Sequence, residues 1–420
     1  MMSEIYRKSF LTIAAASAEN HQSGFLDPRT NIAMELSPTY KVLPGIKVRE
    51  VIDNADSMLI KDPLSTRAWA FQERLVPQRI LSFGVVQMSW HCNGSALMEC
   101  GYEPQNWKRV DINRELYHST LKPETHQLSR GKRVGNSKPP NIYAFWRRSV
   151  VPTYTRLELT KERDRLPALS AIANEIRRIT QDEYLAGIWR QDLLTSLLWT
   201  SASKEAPKPG WLPSEYRAPS WSWASIESSS ITFPKNVVRD KFNIILDANC
   251  QTTGVNPTGE VSHGFIRLLC RWLPATLKVD MVSKKIPKIS PGMISADASV
   301  SPEPDETHKL FGFPTPCVYL WECFPDVPLK EDQNLNAEET PTNTIQRSDL
   351  KPGANRPAIS GAVSCLLLTQ VGQEAFFMIV GKSRTHSGAF ERLGILKAVP
   401  EDRFWEDWYG QLKVSEFLVV

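Results

Sequence analysis

The sequence predicts three regions: an α/β N-terminal domain, a helical middle and a β-rich C-terminal part. Three observations carry this. Residues 10–16 are apolar on both faces behind a short helix, as in a strand covered from both sides. Leu166, Leu169, Ile172, Ala173, Ile176 and Ile179 recur at helical spacing. Beyond Pro234 the apolar segments shorten to strand length and are bounded by turn residues.

Taken in order, Ser3 is placed to cap a helix running through Lys8, and 10–16 follows as the buried strand. Residues 20–61 are turn-rich, with Pro28, Pro38, Pro44 and Gly45, and predict an extended hairpin around 47–52. Within 63–92, Trp69, Gln72 and Glu73 fall at i, i+3 and i+4, so an indole, an amide and a carboxylate project from one helix face, and Pro77 ends that helix. Segments 79–83 and 85–92 then form a hairpin about Gly84 whose buried face carries Val86, Met88 and Trp90. Residues 105–140 turn polar and basic, with Lys132, Arg133 and Lys138, and read as an exposed loop; a solvated surface explains them better than a polyanion site.

Order returns at Trp146. Asp164 and Pro167 open the helix over 166–179, and a second helix follows with Trp189, Leu193, Leu197 and Leu198 on one side. Trp221 and Trp223 sit at spacing two on one strand face and read as core. Strands are expected at 265–272, 276–282, 363–370, 374–380 and 393–399, with a long disordered loop over 286–357, dense in Pro, Ser, Asp and Glu. The domain boundaries this implies are 1–104, 105–140, 141–234 and 235–420.

A chain of 420 residues with 41% hydrophobic content supports more than one core. A net charge of +4 on 50 basic and 46 acidic groups is too balanced to make nucleic acid or an anionic membrane the main partner. Seven cysteines without a C-x-x-C pair fit reduced thiols and a cytoplasmic location. Arg7-Lys8 before an apolar run imitates a secretory signal, but the run is short and Glu4 sits in what should be a basic region. No membrane span is expected, because the best stretch, 359–381, is broken by Glu374 and several Gln and Ser. Common nucleotide-loop, serine-hydrolase and zinc-protease motifs are missing, and neither His91, Cys92 and Cys100 nor Cys317 and Cys323 have zinc-ligand spacing, so no metal is expected.

Residues 63–92 closely resemble the central signature of the fungal heterokaryon incompatibility domain. Its members carry Arg-Gly/Ala-Trp-x-x-Gln-Glu-Arg-Leu followed by a Trp-x-Cys strand, met here by Arg67, Trp69, Gln72, Glu73 and Trp90. The family's Ile-Tyr-x-x-Ala-x-x-Thr-Ile block is matched at 5–18, and further landmarks follow in order at Trp146, Tyr154 with Arg156, 164–170, 184–189 and 218–225, the last bringing Trp221 and Trp223. The resemblance implies a fungal protein of non-self recognition ending in programmed cell death, working through a protein partner or self-assembly. It also implies a fold remotely like the TIR and flavodoxin-like domains. Family members carry two further blocks ahead of the Ile-Tyr helix, and neither occurs here, so the resemblance implies an N-terminally truncated domain whose unpaired strand edges need a partner.

Enzymatic TIR domains hold a glutamate in a Trp-Cys-x-x-Glu helix and cleave the nicotinamide–ribose bond of NAD. Trp69 and Glu73 share that spacing. By this analogy Glu73 is the catalytic carboxylate, holding the ribose hydroxyls and stabilising positive charge on the departing sugar, with NAD as substrate and no bound cofactor. A competing reading pairs Glu73 with Arg67, Arg74 or Arg79 and buries Trp69 as core; a third makes the chain an inactive remnant.

Overall fold

The computed structural model describes residues 2–26, 39–43, 46–49, 62–85, 87–92, 95–99, 142–201, 210–228, 231–234, 243–279, 288–290, 293–295, 320–327, 329–332, 344–349, 359–371, 374–399 and 412–420. It is mixed α/β with few helices, and it divides into two compact units, 1–181 and 182–420. That single boundary differs from the divisions at 104, 140 and 234 expected from composition. The helical middle is shared between the units. The basic loop expected over 105–140 lies outside the described residues.

In the first unit the Met2–Lys8 helix leads into β1 (Thr12–Ala14). β2 (Thr39–Leu43) and β3 (Ile46–Arg49) form an antiparallel hairpin near the expected place. The Ala68–Leu75 helix is made of good helix formers and buries Ala68, Phe71, Gln72 and Leu75, the i, i+3, i+4 and i+7 positions of one face. Its entry is tied by Ala68 N–H to Glu158 O (2.9 Å) and by Glu158 N–H to Thr66 O (2.8 Å), and Pro77 stops it.

β4 (Arg79–Phe83), β5 (Met88–Cys92) and β6 (Ala96–Met98) complete a four-stranded sheet of order β1-β4-β5-β6. β1 runs parallel to β4, and the other pairs are antiparallel. Gly84 is required in the β4–β5 turn, because a Cβ there would lie 2.9 Å from Gln87 O and 3.0 Å from both Asp62 carboxylate oxygens. The Ser170–Thr180 helix packs on the Met2–Lys8 and Ala68–Leu75 helices and ends at Gln181 in the left-handed region (φ 52°), whose N–H reaches Arg177 O at 2.8 Å.

Two expectations change here. The apolar run at 10–16 is not covered from both sides: Phe10 is 81% exposed and Ile13 59% exposed, because β1 is an edge strand with β4 as its one neighbour among the described residues. In β5 the buried residue is Ser89 rather than Met88 or Trp90, so a face chosen by hydrophobicity alone is the wrong one.

The second unit opens with a hairpin, β7 (Tyr184–Leu185) and β8 (Ile188–Trp189), closed by Ala186 and Gly187, both at positive φ. This replaces the helix expected across Trp189; the Leu193–Ser196 helix begins only after it. β9 (Thr200–Ser201) pairs with β10 (Ile231–Thr232). Residues 218–225 are not a strand. They fold as an irregular turn ending in a 3-10 helix, Trp223–Ser225, with Ser222 Oγ accepting from Ala224 N–H (3.0 Å).

The rest is a β-rich region with a closed barrel. Its strands are β11 (Ile244–Thr252), β12 (Val261–Val279), β13 (Lys288–Ser290), β14 (Met293–Ser295), β15 (Leu320–Pro325), β16 (Leu329–Asp332), β17 (Thr344–Arg347), β18 (Ile359–Val371), β19 (Glu374–Lys382), β20 (Phe390–Val399) and β21 (Lys413–Val419). β12 spans 19 residues and continues through Pro274, where two separate strands were expected. Its first half lies between β11 and β21 and its second half pairs with β18. From β18 the ladder runs to β19 and β20, and a Phe390–Val419 parallel pair joins β20 to β21, closing the ring.

Alternate residues point inward: Leu273, Ala275 and Leu277 of β12, Val363, Cys365 and Leu367 of β18, and Ala375, Phe377 and Ile379 of β19 form one buried cluster. Burial pushes the Cys365 thiol up to about 12, so it packs as a small apolar group. β13 to β17 all fall inside 286–357, where a disordered loop was expected; non-local pairing onto β18 and β20 organises short strands whose polar composition hid them.

Candidate functional site

The signature helix Ala68–Leu75 sends three side chains to three different elements of the first unit. Trp69 Nε1 donates to Asp164 Oδ2 at 3.1 Å, which joins the helix to the 3-10 turn Glu162–Arg165. Gln72, 1% exposed, accepts from Ala171 N–H at 3.1 Å through Oε1. Ala171 sits in the first turn of the Ser170–Thr180 helix, where backbone donors have no partner within the helix, so Gln72 caps that helix from outside. Its Nε2 is buried without a hydrogen-bond partner.

Glu73 is half-buried and accepts a hydrogen bond from the Tyr6 hydroxyl of the Met2–Lys8 helix. Burial raises the Glu73 carboxyl above its ordinary value, and the Tyr6 hydrogen bond opposes that rise. Tyr6 is pushed up to about 12, first by burial and then by the neighbouring carboxylate. The arginines proposed as partners go elsewhere: Arg67 donates to Glu19 O, Arg79 donates to Phe10 O at 3.4 Å, and Arg74 takes its favourable charge from Asp62. Among the described residues Glu73 therefore shows no ion pair with an arginine.

This has a measurable consequence. A carboxyl whose folded pKa is raised contributes most to stability below its unfolded value of 4.5, and that contribution is lost as pH rises through the folded value. Glu73→Gln keeps an acceptor for Tyr6 and removes the buried charge. The variant is expected to melt above the wild type at neutral pH, with the difference vanishing at pH 4; a variant that melts lower at both pH values refutes this account.

Behind the helix lies a second polar group. Asp62, 4% exposed, accepts from Val85 N–H at 2.8 Å; burial raises its carboxyl, opposed by that bond and by Arg74. His91 is pushed down to about 4 by burial and then by Arg74, so it is neutral at physiological pH, with Nε2 2.9 Å from Ser89 Oγ. Trp90 sits in β5 opposite Leu81 and Leu97.

Trp221 and Trp223 belong to the second unit and are 0% and 1% exposed. Trp223 Nε1 donates to Gly187 O at 2.9 Å, and Trp221 O accepts from Trp199 Nε1 at 2.9 Å. They are core, as expected, though not on a strand. Sequence reasoning missed Tyr6, Asp164 and Ala171, the three groups that Glu73, Trp69 and Gln72 meet. Tyr6 stood in a recognised Ile-Tyr block, but nothing local pairs it with a residue 67 positions away.

Among the described residues no group of His, Cys, Asp and Glu is placed to hold a metal ion, and no helix is long and apolar enough to cross a membrane. Residues 1–73 match the family model described as heterokaryon incompatibility protein (HET). That match covers the Met2–Lys8 helix, β1 and the signature helix as far as Glu73. No curated protein and no solved structure matches the chain.

Proposed function

We propose that this chain is a signalling module of fungal heterokaryon incompatibility, acting in non-self recognition that leads to cell death, and that it acts by self-assembly. One observation supports the assembly: among the described residues β1 is an uncovered, uncharged strand edge inside the family-matched segment. Phe10, Leu11 and Ile13 are 81%, 36% and 59% exposed, and residues 10–16 contain neither a charge nor a proline. Proteins ordinarily blunt such an edge with Lys, Pro or a bulge. Two copies related by a two-fold axis would meet here β1 against β1 antiparallel, extending the four-stranded sheet across the axis.

Light scattering on the purified chain tests this. The wild type is expected to run as a dimer or larger species, and Ile13→Lys, at an exposed edge position, as a monomer of unchanged melting temperature that no longer triggers death when expressed in a fungal host. A monomeric wild type, or an Ile13→Lys variant of the same mass, overturns the reading.

A second reading is favoured by Glu73 meeting a tyrosine hydroxyl rather than an arginine: cleavage of NAD by a TIR-like mechanism, with the carboxylate receiving the ribose hydroxyls and the charge that develops as nicotinamide leaves. Nicotinamide release by the wild type, abolished in Glu73→Gln, would carry it. Absence of release, or release that survives the substitution, ends it.

A further inference from the structure

The 182–420 unit contains a cavity of about 860 Å³ between the 212–225 segment, β12, β17 and the turn after β19. Four arginines line it, and three are neutralised. Arg217 pairs with Glu227 and donates to Ala224 O and Ile226 O, both at 2.7 Å. Arg267 holds Glu416 through Nε at 2.7 Å, and Arg384 holds Glu391 and Asp349, each at 3.1 Å. Arg347 is different. It is 3% exposed, its Nη2 donates to the neutral Ser225 hydroxyl at 3.1 Å, and its Nε has no partner. Ser225 in turn donates its own proton to Ser220 O at 3.3 Å, so among the described residues no carboxylate is hydrogen-bonded to that guanidinium.

A buried cation without a paired anion is costly. Burial pushes Arg347 down to about 10, against the more distant pull of Asp326 and Glu391 and with added repulsion from Arg384 and Arg392, which leaves it charged at neutral pH. The acids on the wall do not supply the missing partner. Glu391 is already used by Ser383 Oγ, Arg384 N–H and Arg384 Nε, Asp349 is 73% exposed and held by Arg384, Glu215 is exposed, and Val420 O accepts from Ser220 N–H at 3.1 Å and from Ser220 Oγ. Leu212, Pro213, Phe265 and Leu418 make one part of the wall apolar, with Tyr216, 55% exposed, beside them, while Ser262, His263, Thr385 and His386 make another part polar. The volume suits a molecule of small-ligand size.

We infer that this cavity binds a small amphiphilic anion, its carboxylate or phosphate head on the Arg347 guanidinium and its apolar body along Leu212, Phe265 and Leu418. The site lies outside the family-matched residues and does not depend on the assembly reading. A charge-assisted hydrogen bond of this kind is also directional, so the head is selected over a neutral isostere.

Calorimetry with octanoate, octyl phosphate and octanol on the full chain tests it. One equivalent of octanoate or octyl phosphate is expected to bind, about 10- to 100-fold tighter than octanol, and to lose that margin in Arg347→Gln. Which of the two heads binds tighter identifies the source of the anion. The ligand-free Arg347→Gln variant is expected to melt at or above the wild type, since a buried unpaired charge has gone, and Tyr216→Ala to fold normally and weaken both anions together with octanol. The inference is overturned if neither anion binds more tightly than octanol, or if a folded Arg347→Gln binds the anions as the wild type does. The comparison on the wild type alone decides the matter should Arg347→Gln fail to fold.

Discussion

Arg392→Met is expected to cost about 3–5 kcal/mol of unfolding free energy, the loss found when one partner of a buried ion pair is removed and the other is left charged and unpaired. Arg392 and Asp326 are both 0% exposed, with Nε to Oδ2 at 2.7 Å and Nη2 to Oδ1 at 3.1 Å, a two-pronged pair. The same guanidinium donates to Leu197 O and to Trp199 O (2.5 Å) and lies 3.7 Å from the Trp199 ring centroid. Its backbone N–H reaches Ser220 Oγ at 2.9 Å. One side chain therefore ties β20, the Asp326 turn and the segment before β9 together, and its removal orphans two buried carbonyls as well as a carboxylate. Urea titration of the variant measures the loss. The double variant Arg392→Met with Asp326→Leu should recover part of it, since two apolar groups need no partners. A single-variant loss below about 1 kcal/mol would show that the pair is solvated, as exposed bridges are.

Trp223→Ala should cost a similar amount, about 3–5 kcal/mol, the range for emptying a large aromatic site in a core. Trp223 is 1% exposed and packs directly against the turn of the β7–β8 hairpin: a Cβ on Gly187 would sit 2.7 Å from its Nε1. The ring and the glycine thus define each other. Gly187 also holds φ 99°, so Gly187→Ala meets a steric clash and a backbone penalty at once. Trp223→Phe separates the contributions: it keeps much of the ring but leaves Gly187 O without its 2.9 Å donor, and is expected to cost about 1–3 kcal/mol. Denaturant titrations that rank Ala below Phe, and Phe below wild type, agree with this arrangement. Equal losses for the two would mean the hydrogen bond, not the packing, holds the turn.

Much of the architecture was legible because it rests on local chemistry. Pro77 stops the signature helix, Gly84 closes the β4–β5 hairpin, and the strand-length apolar segments beyond residue 235 became β12, β18, β19 and β20. The failures are equally physical. Residues 184–189 have an apolar spacing compatible with a helix, yet Ala186 and Gly187 at positive φ make a hairpin turn, and nothing in the pattern of side chains reveals φ. Residues 286–357 lack the composition of strands, and β15 to β17 exist because β18 and β20 offer them an edge. For the candidate site, the signature residues were found but their partners were not, since Tyr6, Asp164 and Ala171 lie 67, 95 and 99 positions from the residues they meet.

By itself the sequence determined the family resemblance, the signature helix with its indole, amide and carboxylate, and the strand-rich end, all of which depend on residues within a turn or two of each other. Only the tertiary structure decided that Glu73 faces a tyrosine rather than an arginine, that the apolar run at 10–16 lies at an edge open among the described residues, and that Arg347, of the four described arginines lining the cavity, lacks a hydrogen-bonded carboxylate. Each of those is a matter of which distant group occupies the space beside a side chain, and burial then sets its charge and its cost; spacing along the chain carries no record of either.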